Sequence, residues 1–405
     1  MSIAAARPIT PGSGAFIALI AAMMTMTAMT IDINLPAIPV TAADLGASLT
    51  TTQLSVTVFF GGFAMGQLVW GPLSDRRGRK PCLLIGTVIY ILATLGCALA
   101  PNIASLLTLR GVEGFGAGAG SVLGRVIIRD LFDGPQMARM LSLALAAFIT
   151  APIVAPTIGA LILAFASWRW IFLFLAVYGV VMLVLAGLFL EESLKVHHRQ
   201  TIGPARLLRA FGDVFRDPGS QAWAIVVTLV FGTLTIYLTA SPAVLMQGYG
   251  LSPSGFGAAF AIVAVCSSIG NLLNSRLVRH LALARLIRLA LLAATAMATL
   301  ALALALTGVG GVWALVVAIG LFFVCFGLVA ANGTTLALQP HAAMAGAAAA
   351  ALGFSQTVVP SVVASAVALM YDGTAVPMLA TILMLFALCL AIAWYGTSSQ
   401  AAPAR

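Results

Sequence analysis

Long apolar runs, separated by short polar segments, repeat along the whole chain. Each is about as long as the roughly 20 apolar residues that a helix needs to cross a bilayer. The twelve runs lie at residues 14–35, 53–72, 81–100, 105–127, 138–163, 169–190, 221–245, 253–275, 284–307, 312–336, 343–369 and 375–396. They are continuous rather than alternating, which favours helices over the strands of a membrane barrel. The pattern predicts an all-α membrane protein with twelve transmembrane helices.

One long polar segment divides the predicted helices six and six. It covers residues 191–220 and holds nine of the charged residues of the chain, which has 20 basic and 11 acidic ones. We interpret it as a cytoplasmic linker between an N-terminal six-helix bundle, residues 1–190, and a C-terminal six-helix bundle, residues 221–405. Two halves with equal numbers of helices suggest an internal repeat, a common plan among secondary transporters.

The composition agrees with a membrane protein. Of the 405 residues, 61% are hydrophobic and 8% are charged, whereas soluble domains carry about 25% charged residues. So few charges cannot cover a soluble core of this length, which argues against a soluble enzyme, a disordered chain and a disulfide scaffold. The five cysteines all lie inside apolar runs, where they are expected to pack as small apolar residues.

The basic residues predict the orientation in the membrane. If both termini are cytoplasmic, 18 of the 20 Lys and Arg residues fall on the inner side. These are Arg7, Arg76, Arg77, Arg79, Lys80, Arg125, Arg129, Arg139, Lys195, Arg199, Arg206, Arg209, Arg216, Arg276, Arg279, Arg285, Arg288 and Arg405. An excess of Lys and Arg marks the cytoplasmic side, so we expect a multi-pass protein of the cell inner membrane. Because this charge is scattered over short membrane-edge loops, nucleic acid is excluded as a partner.

Apart from basic residues at the ends of the spans, three charges lie within them: Asp32, Arg110 and Glu113. A charge inside the bilayer is costly, so each is a functional hypothesis. Asp32 lies three residues from the outer end of the first span, and Arg110 lies five residues from the outer end of the fourth. At about 1.5 Å per residue the two lie at similar depth. Glu113 shares the helix face of Arg110, one turn deeper.

Two interpretations remain open for each carboxylate. Asp32 is either a titrating group that exchanges a proton against substrate, or a residue that marks the end of the first helix before Pro36 and Pro39. Glu113 either takes part in proton coupling or is a structural partner of Arg110. We expect Arg110 to tune the acids of the cavity.

A charged segment between the second and third spans, and two prolines in the fifth, are candidates for gating. The candidate residues are Asp75, Arg76, Gly78, Arg79, Arg129, Asp130, Pro152 and Pro156. The charged segment is either a topogenic turn or a salt-bridged latch between neighbouring helix ends, with Gly78 allowing a tight turn. The prolines weaken backbone hydrogen bonding and indicate either a hinge or a simple kink.

Glycines of the fourth span, which recur four residues apart, indicate close helix packing rather than a nucleotide-binding loop. Polar residues of other spans are candidates for a substrate cavity. Together with Asp32 they are Gln67, Tyr237, Asn271, Asn332 and Gln356. The histidines have no neighbouring ligand set, so neither a metal nor a cofactor is expected. A membrane enzyme would need a catalytic cluster and a channel a uniformly polar pore, and the sequence shows neither.

Several of these segments resemble signatures of the major facilitator superfamily. Residues 71–80, Gly-Pro-Leu-Ser-Asp-Arg-Arg-Gly-Arg-Lys, are similar to its signature between helices 2 and 3. Leu106, Arg110, Glu113 and Gly114 resemble the helix 4 signature tied to proton coupling, with Glu where Gln is common. Residues 31–39, which contain Asp32, are similar to the helix 1 motif of drug:proton antiporters of the bicyclomycin/chloramphenicol (Bcr/CflA) type.

The resemblance implies an inner-membrane exporter that works by alternating access and is not an enzyme. Asp32 would be the site of the proton and of a cationic drug, Arg110 the coupling residue and Asp75 the gating latch. The expected partners are a small amphipathic drug, protons and membrane lipid, and the protein is expected to be monomeric. The alternative is a proton-coupled importer of a small metabolite with the same fold.

Overall fold

The structure is a computed structural model and describes residues 9–194 and 212–395. In the first half the long helices are α1 (Gly14–Asp32), α2 (Leu49–Arg77), α3 (Arg79–Ala98), α4 (Ile103–Leu131), α5 (Gly134–Phe165) and α6 (Arg169–Phe189). In the second half they are α7 (Pro218–Pro242), α8 (Pro253–Leu277), α9 (Leu283–Thr307), α10 (Gly311–Leu338), α11 (Ala345–Leu369) and α12 (Val376–Tyr395). Each predicted span coincides with one of these helices.

Within the described residues, ten helices are long and apolar enough to cross a membrane. The chain is therefore an all-helical, multi-pass membrane protein. The predicted linker, residues 191–220, is described only at its two ends, because residues 195–211 lie outside the described residues. Arg7 and Arg405, which enter the orientation argument, also lie outside them.

The chain divides into two compact units, Met1–Gly203 and Pro204–Arg405, and the division falls inside the predicted linker. In the first unit α1 packs on α4 and α5, α2 packs on α4, and α3 packs on α4 and α6. In the second unit α7 packs on α10 and α11, α8 packs on α10, and α9 packs on α10 and α12. Each of these pairs in one unit thus has a counterpart six helices away, which is the pattern of an internal repeat.

The first membrane segment is interrupted rather than ended near Asp32. α1 stops at Asp32, and a 3-10 turn at Leu35–Ala37 leads into a short helix at Ile38–Asp44. Pro36 has no N–H to give to the Asp32 carbonyl four residues earlier, so the regular hydrogen-bond pattern breaks there. The predicted end at residue 35 is therefore wrong, since the apolar segment continues to Asp44. Asp32 lies at a break inside it.

The charged segment between the second and third predicted spans is mostly helical rather than a loop. α2 runs through Pro72 to Arg77, and α3 begins at Arg79. Gly78 alone separates the two helices, with φ 103° and ψ 155°, a conformation that favours glycine. The loop was predicted from the return of charged residues, but charge ends only the membrane-embedded part of a helix and not the helix itself.

The predicted close packing of the α4 glycines is confirmed. Gly114 faces the carbonyl of Phe59 on α2, where a Cβ would overlap it. A Cβ at Gly116 would lie 2.5 Å from the Tyr90 backbone nitrogen of α3, and one at Gly120 would lie 2.5 Å from the Met23 carbonyl of α1. The backbone of α4 is therefore in close contact with three neighbouring helices, and Arg110 and Glu113 are held inside the first unit.

Candidate functional site

Asp32 is a buried carboxylate at the break of α1, with a residue exposure of 4%. Among residues 9–194 and 212–395 it has no hydrogen-bond or ion-pair partner. Gly159 of α5 packs directly against the carbonyl of Ile33, where a Cβ would overlap it. The segment of α5 that follows Pro152 and Pro156 therefore packs against the backbone of the first membrane segment at its interruption.

Arg110 and Glu113 form a buried ion pair on α4. Arg110 Nη1 lies 2.7 Å from Glu113 Oε2, and the two residues are 1% and 0% exposed. The guanidinium carbon also stands 4.7 Å from the centroid of the Phe59 ring of α2. Of the three charges predicted inside the spans, the structure joins these two in an ion pair and leaves Asp32 outside it. The pairing is one of the two alternatives that the sequence left open for Glu113.

Four uncharged residues that the sequence analysis did not single out form a network that reaches from this pair to α1. Thr94 Oγ1 of α3 lies 2.9 Å from Glu113 Oε1 and 2.7 Å from the carbonyl of Tyr90. The Tyr90 hydroxyl lies 2.8 Å from Thr30 Oγ1 on α1, and Asn34 Nδ2 donates to the Thr30 carbonyl at 2.8 Å. A threonine or tyrosine in an apolar run is common, so the sequence carried little signal for this network. Only the packing of α1 and α3 on α4 shows it.

A small polar cavity adjoins Arg110. Its volume is about 20 Å³, which is enough for a water molecule. Ile38, Leu106 and Phe172 provide its apolar wall. The polar lining residues are Asn34, Thr41, Thr52, Ser55 and Arg110. The cavity lies entirely within the first unit, between the continuation of α1 and the helices α2, α4 and α6.

Where α2 and α3 meet, Arg79 lies between two carboxylates. Its Nη1 is 2.5 Å from Asp75 Oδ1 of α2, and its Nε is 2.8 Å from Asp130 Oδ2 of α4. Nη1 also donates to Ser74 Oγ at 2.7 Å. One guanidinium thereby ties the ends of three helices together. Arg76 and Arg129, which were grouped with these residues from the sequence, are exposed.

Glu192, which the sequence analysis did not single out, completes this cluster. Its carboxylate accepts the backbone N–H of Arg79 at 2.8 Å and that of Lys80 at 3.2 Å. These N–H groups begin α3 and have no partner within the helix. A side chain at Gly78 would crowd the Glu192 carboxylate, so the glycine is needed for space as well as for its φ. The sequence did offer one indication of this role, because Glu192 is an acidic residue that follows shortly after an apolar run.

The polar residues proposed for a cavity differ in how far they are already bonded. Within the described part of the chain, Gln67 Oε1 and the Tyr237 hydroxyl are buried and have no hydrogen-bond partner. Asn271 donates to the Ser267 carbonyl at 3.2 Å. Asn332 Nδ2 lies 2.7 Å from Asn274 Oδ1, and Gln356 Nε2 lies 3.4 Å from Thr334 Oγ1. Among these candidates, Gln67 Oε1 and the Tyr237 hydroxyl are therefore the buried polar atoms that are free to bond a substrate.

α7, the counterpart of α1, also becomes irregular at its far end. After Pro242 it widens into a π-helical segment, Ala243–Gly248. Tyr371, between α11 and α12, donates its hydroxyl to the Ala243 carbonyl at 3.0 Å. In the same loop, hydrogen bonds from Thr374 hold the pKa of the exposed Asp372 carboxyl below its ordinary value. Single-turn π segments occur often at functional sites.

Arg169, the first residue of α6, forms an ion pair with Asp44. Its Nη1 lies 2.5 Å from Asp44 Oδ2, and Trp168 Nε1 donates to the same oxygen at 2.9 Å. The guanidinium also stands over the Trp168 ring, 4.4 Å from its centroid. This cluster ties the end of the interrupted first segment to the start of α6.

Ser220, His341 and Asp217 lie together at the start of α7, an arrangement that the sequence analysis did not find. Ser220 Oγ is 3.0 Å from His341 Nε2, and Asp217 Oδ2 is 3.9 Å from the same nitrogen. In a catalytic triad the acid bonds the other ring nitrogen. Ser220 is also fully buried, and Asp217 accepts its backbone N–H as a helix cap. The geometry is that of a structural contact between helix ends.

The fold and this set of buried charges define a helical membrane transporter. Residues 16–368 match the family model described as Major Facilitator Superfamily. The chain therefore belongs to the major facilitator superfamily, a family of transporters and not of enzymes.

The relatives agree with this membership. An uncharacterized MFS-type transporter of Bacillus subtilis, YdgK, is 34% identical over 375 residues, 92% of each chain. A bicyclomycin resistance protein homolog of Haemophilus influenzae is 30% identical over 351 residues, which cover 87% of this chain and 88% of the relative. A multidrug resistance protein, MdtL, of Shewanella oneidensis is 30% identical over 328 residues, 80% of this chain and 81% of the relative.

Solved structures show the same fold. The crystal structure of a D-xylose–proton symporter matches with a TM-score of 0.73 and 16% identity. The match covers 94% of this chain and 96% of the symporter. At this identity the likeness concerns the fold.

Proposed function

We propose that this protein exports small amphipathic drugs across the bacterial inner membrane in exchange for protons, by alternating access. The observation that carries the proposal is Asp32, a buried carboxylate without a partner among the described residues, at a break in the first membrane segment. A buried group that can change its charge at modest structural cost suits proton exchange. Two relatives named for bicyclomycin and multidrug resistance support drugs as the cargo.

In the proposed cycle a proton from the outer side binds Asp32 and releases the substrate outward. The protein then reorients, the proton leaves to the cytoplasm, and the ionised Asp32 binds a new substrate. The Arg110–Glu113 pair on α4 couples the two events. Gln67 and Tyr237 offer free polar atoms to the substrate, and Asn271, Asn332 and Gln356 are the other substrate-binding residues of the proposal.

In this proposal the ion-pair cluster around Arg79 acts as the cytoplasmic gate. Asp75, Arg79 and Asp130 hold the inner ends of α2, α3 and α4 together through direct ion pairs. Gly78 leaves the space that this junction needs, and Arg76 and Arg129 add positive charge at its rim. Pro152 and Pro156 supply the hinge within α5. These contacts must loosen for the inner end of the unit to open.

We further propose that all twelve helices cross the membrane, with both termini in the cytoplasm. The bundles are residues 1–190 and 221–405, joined by a cytoplasmic linker at 191–220, and the protein works as a monomer in the inner membrane. The support is the placement of 18 of the 20 basic residues on one side of such a topology.

A growth-inhibition panel tests the proposal. The full chain is expressed in a bacterium that lacks its own broad drug pumps, and growth is compared with and without the gene across chemically diverse antibiotics, bicyclomycin and chloramphenicol included. Export predicts a raised inhibitory concentration for at least one drug. An uncoupler should then increase accumulation of that drug in the cells. If the uncoupler lowers accumulation, the protein is a proton-coupled importer and export is wrong.

A further inference from the structure

The hydroxyl of Thr94 has one hydrogen and two acceptors. Its Oγ1 lies 2.7 Å from the Tyr90 carbonyl and 2.9 Å from Glu113 Oε1. A threonine hydroxyl can donate one hydrogen bond and accept others. If Glu113 is ionised, Thr94 can donate to the carboxylate or to the carbonyl, but not to both. If Glu113 carries a proton on Oε1, that O–H donates to Thr94 while Thr94 donates to Tyr90. Both short distances are then direct hydrogen bonds.

Glu113 can change its protonation without losing Arg110. The ion-pair contact uses Oε2, at 2.7 Å, and this oxygen accepts from the guanidinium in either state. When Glu113 is neutral, the rings of Phe59 and Phe172, with centroids 4.7 and 5.8 Å from the guanidinium carbon, still face the positive charge. The titratable neighbours of Glu113 are Arg110 on its own helix and Tyr90 and Cys97 on α3.

A small cavity adjoins the Arg110 side of the ion pair. It is about 20 Å³ in volume and is lined by Asn34, Thr41, Thr52 and Ser55 besides Arg110, but not by Glu113. It has room for one water molecule. Proton exchange at Glu113 makes or breaks one bond, the O–H bond at Oε1, and the proton comes from water and returns to water.

Tyr90 connects the hydrogen bonds of Thr94 to α1. Its carbonyl is the second acceptor of Thr94, and its hydroxyl lies 2.8 Å from Thr30 Oγ1. Thr30 is fully buried, and its hydroxyl also lies 2.7 Å from the Met26 carbonyl. Because Thr30 is two residues before Asp32, a change in the hydrogen bonds of Tyr90 acts on the part of α1 that holds Asp32.

We propose that Glu113 is a second proton-binding site and that Thr94 is the positioning residue that links its protonation to the contact between α3 and α1. This inference rests on the proposed proton-coupled function and deepens it, because it assigns two protonation sites to the first unit. Thr94 holds the hydrogen-bond pattern and does not itself carry the transported proton.

Infrared spectroscopy of the full chain in lipid nanodiscs tests the inference without any drug. The carboxylic C=O band that disappears in Glu113→Gln is assigned to Glu113, and its loss is followed as the pH is raised. In Thr94→Val the band should persist to a pH higher by about one unit, because a hydrogen bond to an ionised carboxylate is stronger than one to the neutral acid. Thr94→Ser, which keeps the hydroxyl, should titrate like the unmodified protein, and Thr94→Ala should match Thr94→Val.

Thr87→Val is the matched control. Thr87 lies on the same helix, is fully buried and donates to the Leu83 carbonyl at 2.8 Å within its own helix. Its loss should leave the titration of Glu113 unchanged. If no band titrates with Glu113, or if Thr87→Val shifts the midpoint as much as Thr94→Val does, the inference is overturned. A titrating band in a protein that fails the antibiotic panel would leave this site standing and refute drug export alone.

Discussion

The three charges inside the predicted spans have different surroundings, and the sequence left open whether Glu113 pairs with Arg110. Arg110 and Glu113 neutralise each other at 2.7 Å, whereas the Asp32 carboxylate has no partner among the described residues. A buried charge in a membrane protein normally pairs, lines a cavity or takes part in function. The absence of a partner at Asp32 therefore points to function more directly than burial alone.

Replacement of Asp32 by Asn tests this difference. Asp32→Asn keeps the size of the side chain but cannot titrate, so we expect proton-driven drug resistance to be lost while the protein is still made. Inhibitory concentrations and the pH dependence of drug export from cells measure this.

Asp372→Asn is the control for that substitution. Asp372 is exposed in the loop before α12, and its side chain bonds Thr374. The control should leave transport unchanged. Unaltered proton-driven export in Asp32→Asn would remove Asp32 from the mechanism.

At the scale of helices, Arg79 is the residue that joins α2, α3 and α4 where α2 and α3 meet. Arg79→Ala leaves the carboxylates of Asp75 and Asp130 without this partner. Because both carboxylates are partly exposed, we expect a loss of about 1 kcal/mol per ion pair rather than the larger cost of a fully buried pair. We expect a clearly lower melting temperature of the detergent-solubilised protein. Arg76→Ala removes an exposed guanidinium of the same segment and should melt close to the unmodified protein. Equal melting of the two variants would contradict a holding role for Arg79.

Two adjacent glycines of α2 allow the effect of close packing on stability to be distinguished from the effect of helix propensity. A Cβ at Gly62 would overlap the Gly111 carbonyl of α4, whereas one at Gly61 would meet nothing within 4 Å. Gly62→Ala should therefore destabilise the protein by roughly 1–3 kcal/mol through overpacking. Gly61→Ala should be neutral or stabilise it by up to about 1 kcal/mol. Thermal unfolding followed by tryptophan fluorescence distinguishes them, and a stable Gly62→Ala variant would contradict the close contact of α2 and α4.

For the whole molecule, the repeat of helix contacts matches the six-and-six division of the sequence. The corresponding first helices of the units, α1 and α7, both become irregular beside a proline, Pro36 and Pro242. A missing N–H frees a backbone carbonyl in each case. The two units thus share a packing plan and a point of local irregularity, although their residues there differ.

The ends of α9 test the orientation of the chain. Val309 and His280 are exposed in the loops that follow and precede α9. With both termini cytoplasmic, Val309→Cys should react with a membrane-impermeant maleimide in intact cells, and His280→Cys only after permeabilisation. The native cysteines are buried or partly buried, which limits background labelling. The reverse pattern would invert the proposed topology.

Several features could be predicted from the sequence because they depend on local composition. Long apolar runs must form helices in lipid, where each backbone group needs an internal partner, and the helices α1–α12 lie where these runs predicted them. The glycine spacing of α4 predicted its close contacts for a similar reason, since only a missing side chain permits them. Membership of the major facilitator superfamily followed from the same motifs.

Charge alone could not predict helix ends. The segment around Asp75 is polar and still helical up to Arg77, and the apolar segment beyond Asp32 is not one continuous helix. Helix ends depend on which backbone groups find partners, and in these two places the neighbouring helices and prolines decide that.

The sequence by itself determined that this chain spans a membrane, that it is helical, and which few charges are buried in it. The tertiary structure decided which of those charges are paired. Arg110 pairs with Glu113, Arg79 bridges Asp75 and Asp130, and Asp32 stands apart. It also brought in Thr94 and Glu192, which bond Glu113 and Arg79 at 19 and 113 residues' separation. Hydropathy reports where a residue lies relative to lipid, whereas hydrogen bonds across distant helices exist only once those helices have packed.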